Sequence, residues 1–364
     1  MKLTRSGTYV GLVLASALSL AACGSDDNGT VSTDPAAAGS CVSGSITAAG
    51  SSAQKNAVDE WIKAYQSRCT GATVNYQPVG SGAGIQQFIA GTVDFAGSDS
   101  ALKDDERGPA DARCKTGKAI DLPMVTGPVA VAYNLPGVEG LVLDAPAIAK
   151  IFSGAITTWD DAALKALNPD AKLPSTKVQA FHRSDESGTT DNVQKYLTAA
   201  APTDWTFGKG KKFAAPGGQS AKGSDGVTQA VKSTEGAVTY TELSFAENAS
   251  LGVAKLATGA SEPVELTTES AAKAVEAATV EGSGNDLALK LDYSTKAEGA
   301  YPLILVTYEI VCEKGTPSDK LALVKDFLTY TASADGQKIL SDLGYAPLPE
   351  SIRSKVAASV EALA

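Results

Sequence analysis

Short apolar runs alternate with amphipathic stretches along most of this chain. The runs 43–50 ("SGSITAAG"), 73–79 ("TVNYQPV"), 93–99 ("VDFAGSD"), 128–135 ("PVAVAYNL") and 301–312 ("YPLILVTYEIVC") read as strands. Between them, 56–68 places Val58, Trp61, Ile62 and Tyr65 on one helical face, and 84–91, 321–333 and 351–364 carry the same period. Strands alternating with helices predict an α/β protein with mainly parallel sheets. No internal repeat is visible, and nothing after residue 40 is apolar enough over sufficient length to span a membrane.

The first 40 residues break the alternation. Residues 1–22 open on Lys2 and Arg5, continue as an apolar run from about Tyr9 to Leu20, and read as an export signal. The run ends in "LSLAAC", which resembles the lipobox of bacterial lipoproteins; that resemblance implies cleavage before Cys23 and acylation of its thiol, with the protein exported and held at the outer face of the cell membrane. Residues 23–40 are small, polar and without period, and read as the flexible tether between lipid and folded body. Four cysteines remain in an exported chain, which predicts two disulfides with three possible connectivities. Cys41 precedes the first strand and Cys69 ends the first helix, so 41–69 with 114–312 is the preferred pairing. One histidine and no CxxC argue against a metal site.

At 364 residues the chain is long enough for two domains, and 43% hydrophobic with 20% charged residues is a globular composition. The formal charge of −10 becomes more negative once the basic signal is removed. It argues against nucleic acid or anionic lipid held by bulk charge, but not against a small anion held by local donors.

Three strand-to-helix junctions share a composition that suits such an anion: "AAGSSAQ" (48–54), "VGSGAGI" (79–85) and "RSDESGTT" (183–190). Each sets glycine and hydroxyl residues where a helix begins, and helix N-termini present unpaired N–H groups to anions. Neither the dinucleotide fingerprint nor the nucleotide-hydrolase phosphate loop is matched, since the third glycine of GxGxxG would fall on Ile85. Arg183 supplies a cation. Asp99 ends an apolar strand, and a carboxylate beside a bound anion is tolerable only with a proton between them. Phosphate carries such a proton at neutral pH; sulfate does not. The competing reading makes Ser187 a nucleophile and His182 its base. It lacks the GxSxG elbow, and along a strand His182 would face away from Arg183. No pair of acids suggests a glycosidase.

Together, "GSGAGIQQFIAGTVDFAGSD", "YNLPGV", "IFSGAITTWDDAALKALNP", "FHRSDESGTT" and "YAPLP" resemble the phosphate-binding proteins of bacterial phosphate ABC importers, over about Ile46 to Pro349. The resemblance implies an α/β, two-lobed class II periplasmic binding protein fold with mixed, mainly parallel sheets and a two-segment hinge. Lobe I would be 41–127 plus 302–364 and lobe II 128–301, with crossings near "TGPVA" and "GAYPL". It assigns phosphate binding to Ser52, the amide of Ala53, Ser81, Asp99, Arg183, Ser187, Gly188 and Thr189, with Asp185 pairing Arg183 from behind. It implies no catalytic residue, no cofactor and no metal; the partners are inorganic phosphate, membrane permease subunits and, through the lipid, the membrane, with no nucleic acid. The chain is expected to be a monomer. Two residues depart from the pattern: Ala53 stands where an aromatic is common, and Glu186, expected to point outward, where glycine is common. A carrier of sulfate, molybdate or another oxyanion is the alternative, and a secreted phosphatase or serine hydrolase a more distant one.

Overall fold

The computed structural model describes residues 41–364; the signal, Cys23 and the tether lie outside the described residues. The chain begins β1 (Gly44–Gly50), α1 (Lys55–Arg68), β2 (Ala72–Gln77), α2 (Ser81–Ile89), β3 (Phe95–Ser98) and α3 (Asp104–Cys114), then enters the 16-residue β4 (Ala119–Asn134). There follow β5 (Val142–Asp144), α4 (Ala145–Ser153), α5 (Ala162–Leu167), β6 (Gln179–Arg183), α6 (Gly188–Ala200), β7 (Gln219–Ala221), α7 (Gly223–Lys232), β8 (Ala237–Glu242) and α8 (Leu243–Asn248). The return passes through β9 (Gly252–Val253), β10 (Lys255–Ala257), α9 (Thr268–Glu276) and the hairpin β11 (Thr279–Val280) and β12 (Leu289–Lys290). It closes with β13 (Ile304–Cys312), α10 (Ser318–Ala332), α11 (Ala334–Ser341) and α12 (Glu350–Glu361).

The main sheet runs β2-β1-β3-β13-β4-β8-β6-β7. Its wings are parallel: β1 pairs with β2 and β3, and β6 with β7 and β8. Its centre is antiparallel, where β13 joins β3 to β4 and β4 joins β8. The sheet is therefore mixed, as expected, and the parallel wings come from strands that alternate with helices. The central strands are apolar almost without interruption because they are covered on both faces.

Two large hydrophobic cores flank this centre. One gathers Trp61, Tyr65, Phe95, Phe327, Tyr345 and Val356 and takes Ile120 to Val125 from β4 and Val311 from β13. The other gathers Ile148, Phe152, Trp159, Tyr196, Trp205 and Tyr240, and takes Val129 to Tyr133 from β4 and Leu303 and Leu305 from the other crossing. The chain thus changes core at 125–129 and again at 305–311. One excursion returns to the first core from the β11–β12 region. Leu287 packs into it, while Asp286 accepts the Asp121 N–H at 3.0 Å and pairs with Arg107 at 3.0 Å.

Both preferred disulfides are present: Cys41–Cys69 ties the first strand to the end of α1, and Cys114–Cys312 ties α3 to the end of β13. The second spans a sequence separation of 198 residues, so it constrains the unfolded chain strongly.

Candidate functional site

The strands of both wings end at a common crevice, the position where ligands bind in open α/β sheets. From β1 the chain turns through Ser51, Ser52 and Ala53 into α1; from β2, through Gly80 into Ser81 at the start of α2. Gly80 has φ 99°, and a Cβ there would lie 2.4 Å from Asp185 Oδ2, so only glycine lets the two junctions meet. Gly188, the first residue of α6, is as constrained: a Cβ would fall 2.5 Å from Asp99 Cβ and 2.7 Å from Ser81 Oγ.

Asp99, just past β3, is the centre of the first cluster. Its Oδ1 accepts from Ser51 and, at 2.8 Å, from Thr307; its Oδ2 accepts from Ser81 Oγ at 3.0 Å. The same Ser81 Oγ accepts the Gly188 N–H at 3.2 Å, so the α2 and α6 starts are linked through one hydroxyl. Ala53 is buried, and its N–H donates to Ser51 Oγ at 3.0 Å. Thr307 sits beside the register shift where β13 passes β4, an irregularity of the kind that re-aims side chains. Burial pushes the Asp99 carboxyl up and the Glu242 charge adds to it; the Ser51, Thr307 and Ser81 hydroxyls pull it back, and the balance leaves it at about 6.

Arg183 ends β6 and is 3% exposed, so its charge is set by neighbours rather than solvent. Nε and Nη2 donate to the two Asp185 oxygens and Nη1 to Ser224 Oγ at 3.3 Å, which leaves one N–H on each Nη. Burial pulls the guanidinium down, but Asp185 and then Glu242 hold it above its ordinary value. Burial likewise pushes Asp185 up, and Arg183 with the Gly223 N–H more than offsets it, so Asp185 lies below the usual carboxylate range. Ser52 Oγ lies 3.0 Å from Ser224 Oγ and accepts the Ser224 N–H at 3.1 Å.

Ser187 caps α6, its Oγ accepting the Thr190 N–H at 3.2 Å. Thr189 Oγ1 donates to Glu242 Oε1 at 2.7 Å. The expected residues thus gather at neighbouring strand-to-helix turns, with Ser81 bonded to Asp99 and to the Gly188 N–H, and Ser52 and Arg183 both meeting Ser224. Glu186 is exposed at the rim and pairs with Lys212 at 3.1 Å, outward as expected. A cavity of about 410 Å³ opens against Asp99, Ser100 and Asn192, with Lys195, Lys209 and Lys290 on its walls. Asn192 donates to the Asp99 backbone carbonyl at 2.6 Å and to that of Gly188 at 2.8 Å, bracing the two residues from behind.

His182 stacks on Phe213 with ring centres 4.0 Å apart, and its Nδ1 lies 3.0 Å from the Arg183 carbonyl. Among the described residues no hydrogen bond joins it to Ser187, whose hydroxyl serves the helix cap instead.

Four participants escaped the sequence reading. Ser224 had a signal, since "KGSDG" at 222–226 repeats the composition of the three chosen junctions at the start of α7. Ser51 adjoins a chosen residue. Thr307 had none, because it lies inside a run that reads as plain strand, and Glu242 had none, because its partner Thr189 is 53 residues away.

Comparison with known proteins adds independent findings. Residues 35–335 match a PBP superfamily domain. The chain is 45% identical over 372 residues to phosphate-binding protein PstS 3 of Mycobacterium tuberculosis, covering 100% of both. It is 33% identical over 331 residues to phosphate-binding protein PstS of Xylella fastidiosa, covering 90% of this chain and 88% of that one. Among solved structures, it resembles a phosphate-binding protein from Stenotrophomonas maltophilia with TM-score 0.69 and 22% identity, over 87% of this chain and 94% of the other. A high-affinity periplasmic phosphate-binding protein solved with phosphate bound gives TM-score 0.70 and 22% identity, over 86% and 93%. At such identity these two speak for the fold.

Proposed function

Because the chain belongs to the PBP superfamily and, within it, to the PstS phosphate-binding proteins, we propose that it captures inorganic phosphate in the crevice and delivers it to a membrane permease as the solute-binding component of an ABC importer. The observation that carries this reading is the single crevice where Arg183, Asp99 and the starts of α1, α2, α6 and α7 meet. Ser52, the Ala53 amide, Ser81, Arg183, Ser187, Gly188 and Thr189 would donate to phosphate oxygens, with Ala53, Ser81, Gly188 and Thr189 exchanging the bonds they now donate to Ser51, Asp99, Ser81 and Glu242. Preset donors of this kind replace a hydration shell at little reorganisation cost. Asp185 keeps Arg183 oriented and tempers its charge, so the pocket does not attract every anion equally. Asp99 would accept the phosphate proton, which separates phosphate from sulfate.

The two cores support the proposed lobes at 41–127 plus 302–364 and at 128–301, with the Leu287 excursion strapped back onto lobe I. Closure of one lobe on the other would offer the permease a changed surface. Export and a lipid on Cys23 at the outer face are proposed on the resemblance of "LSLAAC" to a lipobox, and the chain is proposed to act as a monomer.

Isothermal titration with phosphate, sulfate and arsenate tests the reading: tight phosphate binding, with sulfate far weaker, is expected, and sulfate equal to phosphate would favour the other-oxyanion carrier. The same preparation should not turn over a phosphate ester. His182→Ala should leave the phosphate Kd within about twofold, because the ring packs on Phe213 and a surface-edge substitution of this kind acts mainly on stability. Loss of an ester-cleaving activity in that variant would revive the hydrolase reading.

A further inference from the structure

Lys211 lies beside the start of α6, where its carbonyl accepts the Ser187 N–H at 2.9 Å. It is 5% exposed, yet none of the phosphate contacts above uses it. A lysine is almost never buried so deeply without a partner. The partner is Glu106 of α3, with Lys211 Nζ 2.6 Å from Oε1 and 2.9 Å from Oε2. The Glu106 side chain is itself only 14% exposed. Glu106 belongs to 41–127 and Lys211 to 128–301, so the pair runs between the two proposed lobes. Among the described residues the other ion pair between those segments is Arg107–Asp286, and Asp286 is already strapped to the first core.

Both ends are fixed before they meet. On α6, Gln194 Nε2 donates to the Gly210 carbonyl at 2.7 Å and to that of Lys212 at 3.0 Å, while its Oε1 accepts the Ala214 N–H at 2.9 Å. Phe213, in the same segment, stacks on His182. Opposite, Glu106 Oε2 accepts the Lys103 N–H at 3.0 Å, which sets the carboxylate at the first turn of α3. Pairing two preset groups costs little side-chain freedom. Burial then ties the pair to closure. With the lobes apart each charge returns to water, where an ion pair contributes little. With the lobes shut each charge needs the other, because a buried charge left alone costs far more than a buried pair.

We propose that Lys211 and Glu106 are positioning residues that latch the lobes together over the bound anion, holding the α6 start, with Ser187, Gly188 and Thr189, against lobe I. This rests on the phosphate reading and on the proposed lobes. The latch acts on how long the closed form lasts, so it shows in the release of phosphate rather than in its capture.

The test is a double-mutant cycle read with inorganic phosphate by titration calorimetry and stopped-flow kinetics. Lys211→Met keeps an unbranched side chain without its charge, and Glu106→Gln keeps an acceptor for the Lys103 N–H. Each single variant should raise the phosphate Kd about ten- to hundredfold, nearly all of it as faster release. The double variant leaves no buried charge alone and should bind no more weakly than either single, whereas two independent structural defects would multiply. Ligand-free Glu106→Gln should unfold within about 2 °C of the wild type, because open lobes leave both groups in water. Should Lys211→Met fail to fold, Glu106→Gln decides alone. A Glu106→Gln protein whose phosphate Kd and release rate match the wild type would overturn the latch and leave the phosphate reading standing. So would a double variant whose loss is the product of the two singles. A wild type that binds no phosphate overturns both.

Discussion

Arg183→Ala should weaken phosphate binding by roughly 2–5 kcal/mol, about thirty- to several-thousand-fold in Kd, because the loss removes a buried, hydrogen-bonded cation from its anion. The guanidinium is desolvated, fixed by Asp185 on two nitrogens and by Ser224 on a third, and has one N–H on each Nη free to meet a ligand. The same substitution should destabilise the ligand-free protein by about 3–5 kcal/mol, since Asp185 is then buried with only the Gly223 N–H at 3.0 Å. These two effects separate in the double variant. Arg183→Ala with Asp185→Ala removes both charges, so thermal unfolding should recover most of the lost stability while titration calorimetry still finds weak binding. A single variant whose phosphate Kd moves less than about threefold would mean that Arg183 stands outside the site.

The legible part of this molecule is the part written locally. Val58, Trp61 and Tyr65 mark the buried face of α1 by their spacing, and all three are in the first core. The Gly-Ser junctions announce helix starts because glycine and hydroxyls are what such starts need. Arg183 and Asp185, two apart at one such junction, pair as their spacing allows. What the sequence withheld depends on pairing across long separations. The antiparallel centre of the sheet cannot be seen in β4 or β13 alone, because both are mostly apolar and buried along their length and give no sign of direction. Thr307 reaches Asp99 across 208 residues through a register shift between those two strands. Glu242 looks like a strand-end acid until its Thr189 partner, 53 residues earlier, is known. The Asp286 contact with Asp121 is of the same kind, tying a loop to a strand 165 residues away.

Asp99→Asn should act on selectivity and on stability in opposite senses. A fully deprotonated sulfate has nothing to donate to the Asp99 carboxylate, so the wild type should reject it by the cost of an unmet buried charge. The asparagine amide can donate instead. The ratio of sulfate to phosphate Kd should then fall by roughly thirty- to thousandfold, equivalent to about 2–4 kcal/mol of lost discrimination, with phosphate itself bound more weakly. Unchanged discrimination by calorimetry would remove Asp99 from its assigned role. Stability moves the other way. Folding raises the Asp99 carboxyl from 3.8 to about 6, chiefly by burial. A raised acid favours the folded state fully below 3.8 and loses that contribution as pH climbs through 6. Two units correspond to about 3 kcal/mol, all of it absent at pH 8. Asparagine has no such step, and the hydroxyls of Ser51, Ser81 and Thr307 can rotate to accept from its amide. Thermal unfolding of the ligand-free proteins from pH 4 to 8 should therefore show the wild type losing ground to Asp99→Asn between pH 4 and 6 and holding a constant deficit above. Saturating phosphate should restore the wild type at pH 7, since a ligand that brings its own proton relieves the strain that the buried carboxylate creates.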